Sequence, residues 1–224
     1  MARRRPSSLP SVIAVSKPAI KLERWVWLWL VTSVALAAPP QIKPLEFKSG
    51  LLSVQLHDPR DEAQLNAVFV SFKHAQTELE AIGLEPKAVK LEAFSSAAGF
   101  ARATGEPYFV AASTRGQTIQ TQRLGALKAR GLLSFTIRHE VFHTAQPANL
   151  PRWLAEGLAR HFSGEDARDS LAPSGLEFTT NTQLDKLLTA RDSRATLNLV
   201  YLEATRRAKK LVRMQGWKRT LAQR

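Results

Sequence analysis

RHEVFHTAQPANLPRWLAEGLARHFSGE, residues Arg138–Glu165, decides how the rest of the chain is read. His139 and His143 stand four residues apart, with Glu140 between them. On a helix of 3.6 residues per turn, positions i and i+4 share a face one turn apart. Two imidazoles so placed can reach a single ion at zinc–nitrogen distances of about 2.0–2.1 Å. Glu140 is rotated by about 100° from His139, beside that ion and able to hold a water. This is the physical content of H-E-x-x-H. Leu132, Leu133, Phe135, Ile137, Val141 and Phe142 around it predict a buried helix. Taken alone, the five residues also describe two histidines packed on a helix without a metal.

A catalytic zinc takes three protein ligands and keeps one position open. The chain has no cysteine, so the ligands must be histidine or carboxylate. Glu156 follows His143 by thirteen residues. The segment Gln146–Leu150 is a short loop, and Pro151 suits the first turn of a new helix. That helix would fold back on the first, bury Trp153 and Leu154, and point Glu156 at the histidines. Gly157 is expected to let the two helices approach closely. The longer pattern H-E-x-x-H-x-x-G-x-x-H fails, because Gln146 and Asn149 occupy its positions. Asp166 and Asp169 fall in an expected loop, His161 on another helix face, and His57 and His74 lack any partner pattern.

The 224 residues fit one domain with or without a tail, and 44% apolar with 23% charged residues is ordinary for a globular chain. The net charge of +13 divides into +5 over residues 1–24 and +8 over the remainder. Arg3, Arg4, Arg5, Lys17, Lys21 and Arg24 precede an apolar run from Trp25 to Ala37, which ends in Ala35-Leu36-Ala37 and prolines. Basic, apolar and small-residue segments in that order describe a secretory signal peptide over residues 1–37. The run is shorter than the roughly 20 residues of a membrane span, and an uncleaved N-terminal anchor is the alternative. Either way the mature chain is expected outside the cytoplasm, periplasmic or secreted, which argues against intracellular nucleic acid as partner. The residual basic charge suits an anionic envelope polymer or merely a solvated surface.

Residues 38–60 read as an extended lead-in with strand-like patches in Leu45–Leu56, ahead of a domain over 61–224. Leu65, Val68, Phe69, Phe72, Ala75 and Leu79 mark an amphipathic helix, with Asp61 as expected N-cap and Gly83 as stop. Ala88–Phe94 reads as a strand and Ser95–Gly105 as a short helix. Tyr108–Ala112 and Gln117–Gln122 read as two strands about a Gly-containing turn, the second with the polar look of a sheet edge. Leu124–Ala145 is helical in pattern. A short helix is expected near residues 182–190, and a long basic helix runs to about Gln215, with Gly216 breaking it.

The segment from His139 to Gly164 resembles the peptidase-MA-like branch of the gluzincin metallopeptidases, whose pattern is HExxH followed by P-x-W-L-x-E-G-x-A. Its elements stand at His139, Glu140, His143, Pro151, Trp153, Leu154, Glu156, Gly157 and Ala159. The likeness extends less specifically over residues 87–220. It implies an α+β fold: a mostly helical, compact gluzincin-like domain with a small mixed sheet packed on the HExxH helix. It implies one Zn2+ held by His139, His143 and Glu156, with Glu140 as general base in peptide-bond hydrolysis and a peptide or protein as substrate. Relatives supply a transition-state stabiliser from a later helix, and Tyr201 is the candidate; packing the C-terminal helix is its other reading. A non-catalytic zinc-containing or basic-surface binding protein of the cell envelope is the rival account. There the surface would be the helix carrying Arg206, Arg207, Lys209, Lys210 and Arg213.

Overall fold

Alternation of apolar and polar residues builds the sheet. In β2 (Leu52–Leu56), Leu52, Val54 and Leu56 are buried while Ser53 and Gln55 are half-buried, the period of a strand with one face on a core. The computed structural model describes residues 44–190 and 193–223; the signal segment expected over residues 1–37 lies outside them. β1 (Leu45–Ser49) pairs antiparallel with β2 through a turn at Gly50. Part of the expected lead-in over residues 38–60 is therefore two strands of the same sheet.

Helix α1 (Leu65–Ala81) crosses from β2 to the parallel strand β3 (Val89–Ala93). Its buried residues Leu65, Val68, Phe72, Ala75 and Leu79 follow the helical period. Asp61 does not cap it. A 3-10 turn over Pro59–Gln64, capped by Asp58, precedes α1, while the buried Asp61 carboxylate accepts from the backbone N–H groups of Leu124 and Gly125 at 2.7 and 2.9 Å. It thus caps α3 (Leu124–Ala129) from a distance. Helix α2 (Ala97–Thr104) starts at the Ser96 cap and ends at left-handed Gly105.

The hairpin of β4 (Ala112–Arg115) and β5 (Thr118–Thr121) corrects two expectations. The first strand begins at Ala112 rather than Tyr108. The strand order is β1-β2-β3-β5-β4, so the segment read as an edge, Gln117–Gln122, is interior and β4 forms the edge. Polar residues of β5 face out across the sheet instead: Gln120 donates to Glu92 on β3. The helical run Leu124–Ala145 is also divided. Gly131, at φ 65°, turns the chain between α3 and α4 (Leu133–Ala145).

Three further helices complete the described chain: α5 (Arg152–Ser163), α6 (Asn181–Ala190) and α7 (Arg194–Leu221), the last kinked at Gly216. One core joins the inner sheet face to α1, α4, α5, α6 and α7. The architecture is α+β, a mostly helical body carrying a five-stranded mixed sheet. No helix among the described residues is long and apolar enough to cross a membrane.

Candidate metal centre

Helix α4 is buried on the side of Leu133, Ile137, Val141 and Phe142, which leaves His139 and His143 together on a partly open face. Their Nε2 atoms lie 3.0 Å apart. Glu156 on α5 brings Oε2 to 3.4 Å from His139 Nε2 and 3.5 Å from His143 Nε2. Donors bound tetrahedrally at about 2.0–2.1 Å stand about 3.3–3.4 Å from each other. The observed triangle has nearly those edges, so the three side chains fit one zinc-sized cation.

Outer contacts set the chemistry of the rings. His139 Nδ1 is 3.1 Å from Glu165 Oε1, and His143 Nδ1 is 3.0 Å from Gln146 Oε1. Carboxylate and amide oxygens only accept, so the Nδ1 atoms carry the protons and both Nε2 atoms face inward. Two inward nitrogens and a carboxylate need a positive charge among them, supplied either by a proton or by a metal. Burial opposes a charged His139, but the Glu165 carboxylate, together with Glu156 and Glu140, holds its pKa well above the usual 6.5. Burial likewise opposes ionisation of Glu156 and Glu165. Hydrogen bonds from His139 and His143 nevertheless hold the Glu156 carboxyl far below the ordinary range. The charge of His139 and that of Arg160 bring Glu165 down to about 2.

Packing explains how Glu156 reaches α4. Trp153, Leu154 and Leu158 are buried, and the N–H of Trp153 donates to Asp185 of α6 at 2.6 Å. Gly157 does not serve the contact with α4. It faces α7, where a Cβ would lie 2.7 Å from the carbonyl carbon of Ala204. At the other end of α5, Gly164 is left-handed at φ 82° and turns Glu165 back toward His139. Ser163 Oγ and Arg160 also hold Glu165.

Glu140 is buried on the neighbouring face of α4, and Thr114 of the edge strand β4 donates to its Oε2 at 2.7 Å. Tyr201 of α7 lies with Arg160 over its ring, 5.7 Å from the centroid. Cavities of about 570 and 630 Å³ flank the centre, and His139, Glu140 and Tyr201 line both. His139, His143, Glu140, Glu156 and Tyr201, named from the sequence, thus border one cleft. Glu165 and Thr114 are not foreseen, because no fixed spacing ties them to the motif, and Gln146, three residues past His143, reads from the sequence only as the start of a loop.

Other candidates are engaged elsewhere. His161 bonds Asp166 and stacks on Trp217, Asp169 pairs with Arg160, and His57 with Glu92. Within the basic helix, Arg206 donates to the carbonyls of Ser170 and Ala172, Arg207 pairs with Glu203 and donates to the Leu176 carbonyl, and Lys209 pairs with Asp166. These three cations fasten the loop before α6, which leaves Lys210 and Arg213 as the exposed remainder. A scan of the chain against protein-family models gives no match, and a search of curated proteins gives none either.

Proposed function

We propose that the chain is an exported zinc metallopeptidase that hydrolyses peptide bonds. The observation that carries this reading is the convergence of His139 Nε2, His143 Nε2 and Glu156 Oε2 on one point, with Glu140 lining the same cavity. A scaffold zinc has no use for an acid such as Glu140 at that position. Export is supported by the basic, apolar and small-residue order of residues 1–37.

Zinc held by His139, His143 and Glu156 would supply Lewis acidity and bring the pKa of water toward about 7. Glu140 takes the proton of the attacking water and passes it to the departing nitrogen. Thr114 fixes this carboxylate through Oε2, which leaves Oε1 for the proton. Tyr201 faces the cleft from α7 and stabilises the oxyanion through its hydroxyl. The backbone of the edge strand β4 pairs with an extended substrate. Glu165 and Gln146 act as positioning residues that keep both imidazoles oriented.

The test is Glu140→Gln. Cleavage of a peptide mixture, followed by mass spectrometry, should disappear while bound zinc is retained. Undiminished cleavage by that variant, or none by the unaltered zinc-loaded chain, would reject the reading.

A further inference from the structure

The two flanks of the cleft differ in charge. On the flank past Lys87, Arg115 and Arg152, three cations face three acids, Glu106, Glu140 and Glu156. The other flank is the cavity of about 570 Å³, with Phe109, Phe135 and Leu197 in its wall. Two of its three carboxylates are paired with cations inside the protein. Glu165 accepts from His139 and Arg160, and Asp169 from Arg160, while Glu140 accepts from the neutral Thr114 hydroxyl and keeps its charge beside the metal-binding face. Arg160 is thereby neutralised.

Three more arginines line this same cavity, Arg130, Arg168 and Arg194. Among the described residues none of them pairs with a carboxylate. They come from separate elements that the fold ties together. Arg130 ends α3 just before the left-handed Gly131. Arg168 donates to the Gly131 carbonyl at 3.3 Å, and its guanidinium carbon stands 5.7 Å from the centroid of the Phe135 ring. The two arginines therefore share one rim, with Arg168 held in place rather than loose. Arg194 opens α7 behind the Ser193 cap, where the start of a long helix adds positive potential. All three are exposed at the cavity rim, and a guanidinium matches a carboxylate in two parallel hydrogen bonds.

We infer that the cleft selects peptides carrying aspartate or glutamate on the side of the scissile bond that enters the Arg130–Arg168–Arg194 flank. The placement relative to a cut bond rests on the hydrolase reading above; the selection of acidic peptides does not.

Binding and cleavage are measured separately. The zinc-loaded Glu140→Gln chain is titrated, by fluorescence anisotropy, with dye-labelled peptides that differ only in bearing glutamate, glutamine or lysine. The glutamate peptide should bind about tenfold tighter than the glutamine one, and the gap should narrow as salt is raised. Combining Arg130→Gln, Arg168→Gln and Arg194→Gln should remove the gap. The single reversal Arg194→Glu, which leaves two of the three arginines, should narrow the gap. Equal affinities for all peptides, or a preference that survives the triple change, would overturn the inference. Cleavage of a peptide library by the unaltered chain reads the other half. Acidic residues should gather on one constant side of the cut bonds. Cuts without that bias overturn the selection and leave the hydrolase standing, whereas tight acidic binding without any cut does the reverse.

Discussion

Gly157 of α5 lies directly against the backbone of Ala204 of α7, leaving no room for a side chain between them. The contact fixes the depth at which α5 sits, and with it the height at which Glu156, one residue earlier, meets His139. Gly157→Ala would drive a methyl into a carbonyl, and backbone cannot give way as a flexible side chain would. Overpacking of this kind costs about 3 kcal/mol. Urea denaturation should show that loss, and zinc retention should fall with it because Glu156 is displaced.

Glu165 is expected to matter for the metal although it is not a ligand in this account. Glu165→Gln keeps the shape and removes the charge facing His139 Nδ1. Loss of such an outer partner lowers metal affinity about ten- to a hundredfold. Competition against a fluorescent zinc chelator measures this, and unchanged melting of the metal-free variant would separate it from misfolding.

Proton release should accompany zinc uptake. In the metal-free chain the pKa of His139 is raised, so at neutral pH the ring is protonated, whereas a ligand needs its lone pair. Uptake therefore expels a proton, and apparent affinity falls as pH falls. Calorimetry in two buffers of different ionisation enthalpy should give different heats. The same shift has a stability consequence for the metal-free chain. A raised histidine pKa contributes stability that is fully present below the usual 6.5 and is lost as pH rises through the folded value. Chelated protein should lose that contribution in alkaline buffer.

Asp61→Ala tests the fold without touching the cleft. The change leaves the buried N–H of Leu124 and that of Gly125 without their acceptor. Destabilisation of about 1–3 kcal/mol is expected in urea, with zinc binding intact once the protein is folded.

The parts of the fold written in local periodicity were legible from the residues. The period of α1 appears in Leu65, Val68, Phe72 and Leu79, and Ser96 and Gly105 bound α2 as their chemistry requires. Order within the sheet was not legible, since Gln and Thr on β5 look alike whether they face solvent at an edge or a polar outer face in the interior. Asp61 misled for a related reason: a capping carboxylate declares its chemistry but not which helix it caps. At the centre, His139, His143 and Glu156 could be named because helical spacing and a short loop constrain them. Glu165 could not, because its approach depends on the left-handed turn at Gly164 and on where α5 ends. Gly157 is legible as a close-approach residue, but its partner is α7, and that contact comes from a helix far along the chain.

Metal analysis of the purified chain, alongside Glu156→Ala and Glu140→Gln, decides whether His139, His143 and Glu156 hold a zinc ion. About one zinc per chain is expected in the unaltered protein and in Glu140→Gln, and loss of zinc after dialysis in Glu156→Ala. An unaltered chain that binds no zinc, or a Glu156→Ala chain that holds it as firmly as the original, would contradict that assignment.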